Sequence, residues 1–336
     1  MRFVPSRSRR LFLAGVATAV ALSACSTTGT DDDSAAEPAA SASSAGQFPV
    51  TIATAFGDVT VEKQPTKVVT LGWSDAEVAL ALGVQPVGDA DWLAFGGDGQ
   101  GAWNQGKYTT PPEKLGTLEL DMEKIAALQP DLILDTRSSG DKARYDQLAA
   151  LGVPVVDIPQ GGEAYKTTWE QQLEMVGKAL GKSAEATQLK SDLDAQFQQV
   201  AAANPQFAGK TVTAGVKTSQ GWGAYVSGDG RVDFLTKLGF TSAPEVEALK
   251  KDSFFVNLSN EQLNTLDADL TTVFMIGLTA DQVKADKLLQ AVPSVKAGHV
   301  VYLDDKDISA AFSSNSVLGL KYALEKVPPL LAGALG

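Results

Sequence analysis

The sequence holds a single cysteine, Cys25, and a single histidine, His299, among its 336 residues. One cysteine cannot form an internal disulfide, so the stability of the chain must come from packing. Direct capture of zinc or manganese needs a cluster of His, Cys or carboxylate ligands, and Ser-His-Asp catalysis would have to use His299. This scarcity disfavours a metal centre and nucleophilic hydrolysis. Carboxylate pairs of the glycosidase kind stay open.

Positive charge is also scarce, since 28 Lys plus Arg face 40 Asp plus Glu, a net charge of −12. This balance opposes binding to nucleic acid, which requires a basic face that displaces counterions. No apolar run beyond the N-terminus approaches the roughly 20 residues that span a bilayer. We therefore expect a globular body, and the chain length suits two lobes.

The first 24 residues have the pattern of a secretion signal, with four arginines before an apolar stretch from Leu11 to Leu22. Leu22-Ser23-Ala24-Cys25 resembles the bacterial lipoprotein processing box, in which Cys25 becomes the first mature residue and carries lipid. Residues 8–13 also resemble the twin-arginine export motif, so the export route stays open. Loss of four arginines would bring the net charge from −12 to −16. A diacyl anchor would hold the protein at the outer face of the cell membrane.

Residues 25–47 are predicted to be a flexible tether, because small and polar residues dominate there and no large apolar residue occurs among them. A hairpin is expected next, around the Gly-Asp turn at Gly57. Beyond it, short apolar runs alternate with amphipathic stretches, which indicates an α/β fold with mostly parallel sheets.

Two α/β lobes are expected, the first over residues 48–166 and the second over residues 204–336. One long helical connection, residues 167–203, joins them; Gly181-Lys182-Ser183 interrupts it, and Ser183 is expected to cap the next segment. A terminal helix is expected to open at Ser313. The ligand cleft should lie between the lobes, on loops that come after strands.

Four motifs resemble one protein family: Met122 to Leu134, Tyr145 to Val156, Leu258 to Leu270, and Val295 to Tyr302. In this order they look like the helical-backbone periplasmic binding proteins, the solute receptors of ABC importers for ferric siderophores, haem and cobalamin. The resemblance covers roughly residues 50–334 and is strongest to ferric-siderophore receptors. It implies a monomeric receptor, not an enzyme, with no cofactor of its own and iron bound only inside its ligand.

The family resemblance also implies contacts with a permease. One exposed Glu on each lobe docks onto the permease in such receptors, and the matching positions are Glu123 and Glu261. Each lies early in an expected helix, so an alternative is that its carboxylate only offsets the helix dipole.

Aromatic residues near glycines are the candidate ligand contacts. Trp73 follows an expected strand, Trp92, Phe95 and Trp103 lie in the loop 89–106, and Trp222 and Tyr225 lie in an expected loop, 220–230. A large aromatic side chain on a loop leaves apolar area exposed unless a ligand or the other lobe covers it. Structural anchoring of the loops is the alternative.

Arginine occurs three times beyond the signal. Arg137 and Arg231 are expected at the cleft, donating to ligand oxygens, with surface ion pairing as the alternative. Arg144 is expected to be a solvated partner of local carboxylates. In this family, receptors for triply anionic tricatecholate siderophores generally have several basic cleft residues, one of them near the start of the last helix, and the corresponding residues 308–314 contain none. The resemblance therefore implies a hydroxamate or mixed-donor siderophore, and the net negative charge would also repel a highly anionic ligand. The lysines that could still supply positive charge are Lys107, Lys142, Lys166 and Lys217. Haem, cobalamin and an extracellular hydrolase remain alternatives.

Overall fold

The computed structural model describes residues 48–251 and 253–336. The expected signal, the tether and Cys25 lie outside the described residues. Within the described part, no helix has both the length and the apolar character that a membrane crossing requires.

A hairpin and a five-stranded parallel sheet build the first lobe. The hairpin pairs β1 (Val50–Thr54) with β2 (Gly57–Val61), as expected. The sheet has the order β5-β4-β3-β6-β7, with strands β3 (Val68–Thr70), β4 (Gly88–Asp89), β5 (Glu113–Lys114), β6 (Leu132–Leu134) and β7 (Val155–Val156). Helices α1 (Asp75–Ala81), α2 (Met122–Leu128) and α3 (Lys142–Ala149) connect them. All residues of β3 and β6 are buried, as parallel strands covered by helices should be.

The connection between the lobes, expected as a long helical tract interrupted at Gly181-Lys182-Ser183, is two separate helices. Helix α4 covers Trp169–Ala179 and α5 covers Ser183–Ala203. Gly181 lies between them with φ +67°, a left-handed conformation that glycine adopts at little cost. Ser183 does not cap α5: Lys182 precedes the helix, and no side chain there accepts a capping hydrogen bond.

The second lobe contains a mixed sheet, β11-β9-β8-β12-β13, with β10 beside β8. Its strands are β8 (Thr211–Thr218), β9 (Gly221–Tyr225), β10 (Thr241–Ser242), β11 (Phe255–Leu258), β12 (Leu270–Ile276) and β13 (Val300–Tyr302). Its helices are α6 (Gly230–Lys237), α7 (Pro244–Glu247), α8 (Ala280–Lys284), α9 (Lys287–Ala291), α10 (Pro293–Ala297), α11 (Lys306–Ser314) and α12 (Val317–Leu335). Short 3-10 helices cover Ala102–Asn104, Pro205–Phe207 and Asn260–Leu266.

Two sequence predictions for this lobe were wrong. The expected loop 220–230 contains strand β9, which pairs antiparallel with β8 and β11. The expected terminal helix is two helices, because Asn315 adopts a left-handed conformation (φ +51°) and Ser316 caps α12. The resulting corner, Ser314 to Ser316, is buried.

Helix α5 packs into the core of the second lobe, whereas α4 packs on α1 and β1 of the first. Phe197 of α5 contacts Phe234 of α6, with ring centroids 5.4 Å apart, and Phe234 contacts Phe312 of α11 at 4.6 Å. Helix α4 thus packs mainly on the first lobe and α5 on the second, although Lys237 of α6 also pairs with Glu170 of α4 at 2.8 Å, and Gly181 lies between the two helices.

Candidate ligand-binding site

A cavity of about 730 Å³ lies between the two lobes. The first lobe contributes Trp73, Trp92 and Leu93 to its wall. The second lobe contributes a larger wall that includes Tyr225, Arg231, Phe254, residues 275–280 at the end of β12, Leu303, Asp304 and four residues of α11, among them Lys306. This volume falls in the range of about 300–1,000 Å³ that is typical of small-molecule sites.

Two indoles form the first lobe's side of the cavity. Strands β3 and β4 are parallel neighbours, so the loops after their carboxyl ends meet at one edge of the sheet. Trp73 and Trp92 follow these strands and stack with ring centroids 4.5 Å apart and an interplanar angle of 10°. Tyr165 covers the opposite face of Trp73 at 4.3 Å. No sequence signal pointed to Tyr165, because its loop lies outside the strand pattern.

A buried carboxylate fixes the turn that carries Trp73. Asp75 accepts hydrogen bonds from the amides of Gly72 (3.1 Å) and Thr136 (3.0 Å) and from Gln172 Nε2 (2.7 Å). Gln172 also donates to the carbonyl of Trp73 at 2.9 Å. Burial raises the pKa of Asp75 to about 6, although the hydrogen bonds from Thr136 and Gln172 oppose this. A side chain at Gly72 would collide with the Asp75 carboxylate, so the turn requires glycine.

Arg231 contributes a planar guanidinium group to the second lobe's side of the cavity. It lies in the first turn of α6, and its side chain is 13% exposed. Its guanidinium pairs with Asp229 (Nη1 to Oδ2, 3.0 Å) and lies 4.1 Å from the ring centroid of Tyr225. Because Asp229 neutralises much of its charge, Arg231 offers the cavity a polar, stackable surface more than an unpaired cation.

Lys306 adds a second cation to the cavity wall. It begins α11 and is exposed, and no described carboxylate lies within ion-pair distance of it. Asp304, also in the wall, pairs instead with Lys284 at 3.1 Å. The expectation that the start of the last helical region lacks a basic residue was therefore wrong. Lys306 lies two positions before the stretch 308–314 on which that expectation rested.

Trp103 lies at the junction of the lobes rather than in the cavity wall. Its Nε1 donates to Oε2 of Glu77 at 2.7 Å, and its ring lies 5.9 Å from that of Tyr322 in α12. Ser316 of the second lobe donates its hydroxyl to the same Glu77 oxygen. Burial raises the pKa of Glu77 to about 7, against the effect of these hydrogen bonds. This carboxyl group thus connects the loop 89–106 to the α11–α12 corner.

Arg137 is also buried at the junction and not at the expected cleft rim. It is 4% exposed, and its Nη1 donates to the carbonyl of Ser314 at 2.9 Å. Ser74 Oγ donates to the same carbonyl at 2.6 Å. Burial lowers the pKa of Arg137 to about 10, which leaves it protonated at neutral pH. Two side chains of the first lobe therefore hold one carbonyl of the second.

Trp222 lies inside the second lobe. It is on β9, is 3% exposed, and packs among Leu258, Leu263 and Leu289. Its Nε1 donates to Asp286 at 2.9 Å, and Lys217 Nζ lies 4.9 Å from its ring centroid. The structure does not bring Trp222 to the cavity. Tyr225, at the end of the same strand, does line it.

Arg144 is not solvated as expected, because its side chain is 14% exposed and its partner Asp135 is fully buried. The pair is bidentate, with Nε to Oδ2 at 2.7 Å and Nη2 to Oδ1 at 2.9 Å. The remaining Nη1 donates to the carbonyl of Thr117 at 3.1 Å. Arg144 therefore fastens the loop between β5 and α2.

Comparison with known proteins matches residues 68–306 to the family described as periplasmic binding protein. The chain belongs to the periplasmic binding protein family. The expected family resemblance and the two-lobed α/β fold class are thereby confirmed.

Among relatives of this periplasmic binding protein, the Fe(3+)-citrate-binding protein YfmC of Bacillus subtilis is 27% identical over 276 residues, 81% of this chain and 84% of its own. The ABC transporter substrate-binding lipoprotein YvrC of the same organism is 35% identical over 156 residues, 44% of this chain and 46% of its own. The crystal structure of Streptococcus pneumoniae PiaA in complex with ferrichrome superimposes with a TM-score of 0.72 at 26% identity, covering 85% of this chain and 98% of that one.

The two acidic residues expected at the permease contact are both exposed. Glu123 lies in the first turn of α2, and Glu261 lies in the first turn of the 3-10 helix Asn260–Leu266. Neither forms an ion pair with a described Lys or Arg. Across the described residues, no three or more His, Cys, Asp or Glu side chains group as a metal site would need, and His299 is exposed ahead of β13.

Proposed function

We propose that this periplasmic binding protein captures a ferric siderophore outside the cytoplasm and delivers it to an ABC-type importer for iron uptake. The stack of Trp73 and Trp92 opposite Tyr225 and Arg231 is the observation that carries the proposal. Aromatic and apolar walls with a few polar groups suit a bulky metal chelate, which presents its organic ligand to the protein. Relatives named for Fe(3+)-citrate and for a ferrichrome complex support it.

Contact with the ligand is assigned to Trp73, Trp92, Tyr225, Arg231 and Lys306, because all five line the cavity. Trp103, Arg137 and Trp222 support the site from behind, since their polar atoms are already bonded within the protein. In this proposal the receptor releases its ligand unchanged, and none of the described residues is assigned a catalytic role.

The charge of the cavity favours a chelate of low net charge. Asp229 already pairs with Arg231, and Asp304 pairs with Lys284, so Lys306 is the one cation of the described wall without an ion-pair partner. A triply anionic tricatecholate complex would leave most of its charge without a partner in a partly desolvated site, which is costly. A ferric hydroxamate or mixed-donor chelate fits this balance.

Anchoring and delivery follow the family pattern. Cys25 is assigned as the lipidated residue that holds a monomeric receptor at the cell membrane, behind a signal peptide of residues 1–24. Glu123 on one lobe and Glu261 on the other are assigned to the permease, where each carboxylate meets a basic residue. Their exposure and lack of described ion-pair partners support this role.

A titration tests the ligand assignment. We expect ferrichrome, a ferric hydroxamate, to quench the tryptophan fluorescence of the purified protein with a dissociation constant below about 1 μM. A ferric tricatecholate should bind at least about tenfold more weakly. Failure of every ferric chelate to quench would refute the assignment.

Two further additions separate the alternatives. A shifted Soret band after haem addition would identify haem as the ligand in place of a siderophore. Stoichiometric retention of cobalamin would identify cobalamin. In both cases the protein would remain a receptor of the same family. Turnover of an ester or glycoside substrate, in place of stoichiometric binding, would indicate a hydrolase.

A further inference from the structure

Four large apolar side chains are exposed in the described part of the chain: Leu118 (77%), Ile276 (56%), Leu288 (44%) and Leu330 (41%). Ile276 lines the ligand cavity, which accounts for its exposure. Leu118 and Leu288 lie far apart in sequence, one on each lobe. Both belong to segments next to the two acidic residues assigned to the permease.

Leu118 precedes Glu123 on a turn that is firmly held. The turn runs from Leu115, which is fully buried, to Asp121, whose amide donates to the Leu115 carbonyl at 3.0 Å. Arg144 donates to the carbonyl of Thr117 at 3.1 Å. The backbone of the turn is therefore fixed, and it presents Leu118 with 77% of its surface exposed.

Leu288 is held in a similar way on the second lobe. Helix α9 packs against the 3-10 helix that carries Glu261. Asp286 caps α9 by accepting from the Leu288 amide at 2.9 Å, and Trp222 donates to the same carboxylate group at 2.9 Å. The neighbouring Leu289 is fully buried in the core, so the helix cannot rotate to hide Leu288.

We propose that Leu118 and Leu288 are apolar contacts of the receptor with the permease, one beside Glu123 and one beside Glu261. This inference rests on the proposed function. The partner is the permease of the importer, which would offer an apolar pocket next to each basic residue that meets Glu123 or Glu261. Exposed carboxylates lie near both leucines, with Glu119 and Glu123 beside Leu118 and Glu261 on the helix beside α9, while the exposed Lys287 adjoins Leu288.

An apolar contact beside each charge would divide recognition into two parts. The attraction of the exposed carboxylates speeds association and becomes weaker as salt is added. The leucines, once covered by the permease, slow dissociation, and salt does not weaken their contact. Repetition of the same pair on both lobes would let the permease contact both lobes at once, so that each contact strengthens the other.

The test uses the single variants Leu118→Gln and Leu288→Gln, the double variant, and Leu330→Gln as the matched control. Leu330 is an exposed leucine on α12, outside both segments. Binding to the purified importer is measured by biolayer interferometry, and uptake of radiolabelled ferrichrome iron is measured in cells that lack the native receptor. Thermal unfolding and ferrichrome titration report whether folding and ligand binding are intact.

Each single variant should weaken importer binding by about tenfold and the double variant by about 100-fold, with ligand affinity unchanged. Leu330→Gln should stay within about twofold of the parent. Parent-like importer binding by the double variant, or an equal loss in Leu330→Gln, would overturn the inference.

Parallel variants Glu123→Gln and Glu261→Gln separate this inference from the proposed function. If they lose importer binding while the leucine variants keep it, only the apolar contacts are refuted. If neither set changes importer binding, the docking surface itself is refuted. A parent protein that fails to bind any ferric chelate refutes the proposed function.

Discussion

Trp73 and Trp92 line the cavity wall, so removal of one ring should directly lower the affinity for the ligand. Trp73→Ala opens a gap between Trp92 and Tyr165, which stack on it at 4.5 Å and 4.3 Å. Loss of the aromatic contact should lower ferrichrome affinity by about 10- to 100-fold. Isothermal titration calorimetry measures this, and an affinity within about twofold of the parent would contradict the assigned contact.

Trp222 provides the opposite case, because its ring is in the core and its Nε1 bonds Asp286. Trp222→Phe removes that hydrogen bond and should lower the free energy of unfolding by about 1–2 kcal/mol. Ferrichrome affinity should stay unchanged. Urea denaturation measures the stability and calorimetry the affinity. A loss of affinity without a loss of stability would show that Trp222 contacts the ligand.

Glu77 should make the stability of the protein depend on pH near neutrality. Burial raises its pKa from 4.5 to about 7. The folded state therefore holds this proton more tightly than the unfolded state, so the stabilisation is complete below pH 4.5 and is lost as pH rises through about 7. We expect the melting temperature to fall as pH rises from about 5 to about 8.

Glu77→Gln carries no titrating proton and should show a shallower fall over this window. Asp75, Asp89 and Asp157 are also buried with raised pKa values, so part of the dependence remains. Glu62→Gln, at an exposed position, is the control and should follow the parent. Identical slopes for Glu77→Gln and the parent would show that Glu77 does not titrate in this range.

At the level of helices, Gly181 separates α4 from α5 and permits the left-handed turn between them. Gly181→Ala should lower the free energy of unfolding by about 1 kcal/mol, because an L side chain is strained at positive φ. Ser183→Ala should change it by less than about 0.5 kcal/mol, since Ser183 does not cap α5. Urea denaturation distinguishes them, and equal stabilities would contradict the role of this turn.

The sequence pattern predicts a helix over Met122–Leu128 and strands over Leu132–Leu134 and Leu270–Ile276, and α2, β6 and β12 have these bounds, because each is a regular pattern between clear breaks. It failed at β9, where Gly221-Trp222-Gly223 has the appearance of a turn. Gly223 is a glycine for another reason: a side chain there would strike the Phe255 ring and the Val256 carbonyl of β11. Close packing between strands and a tight turn both require glycine, so the sequence alone does not distinguish them.

The candidate site was predictable to a similar extent. Trp73 was proposed because it follows an expected strand and Trp92 because it lies in a Gly-rich loop, and both line the cavity because the ends of parallel strands meet at one sheet edge. Arg137 and Trp103 were misplaced because burial depends on the other lobe, whose corner at Ser314 and Ser316 covers them. Contacts between residues more than 170 positions apart leave no local pattern in a single sequence.

For the molecule as a whole, the net charge of −12 should affect the association rates of neutral and anionic ligands differently. A neutral ferric hydroxamate should associate at a rate that changes less than about twofold between low salt and about 0.5 M NaCl. An anionic chelate should associate faster as salt screens the repulsion. Stopped-flow quenching measures both rates, and a strong salt dependence for ferrichrome would contradict recognition of its low charge.

The lobes should move little when the ligand binds, because they are bonded to each other beneath the cavity. Ser74 and Arg137 both donate to the Ser314 carbonyl, and Ser316 donates to Glu77. We expect the radius of gyration from small-angle X-ray scattering to change by less than about 1 Å on ferrichrome addition. The double variant Ser74→Ala with Arg137→Ala lacks both donors and should show a larger ligand-dependent change. A change of several ångströms in the parent would mean that these bonds break during closure.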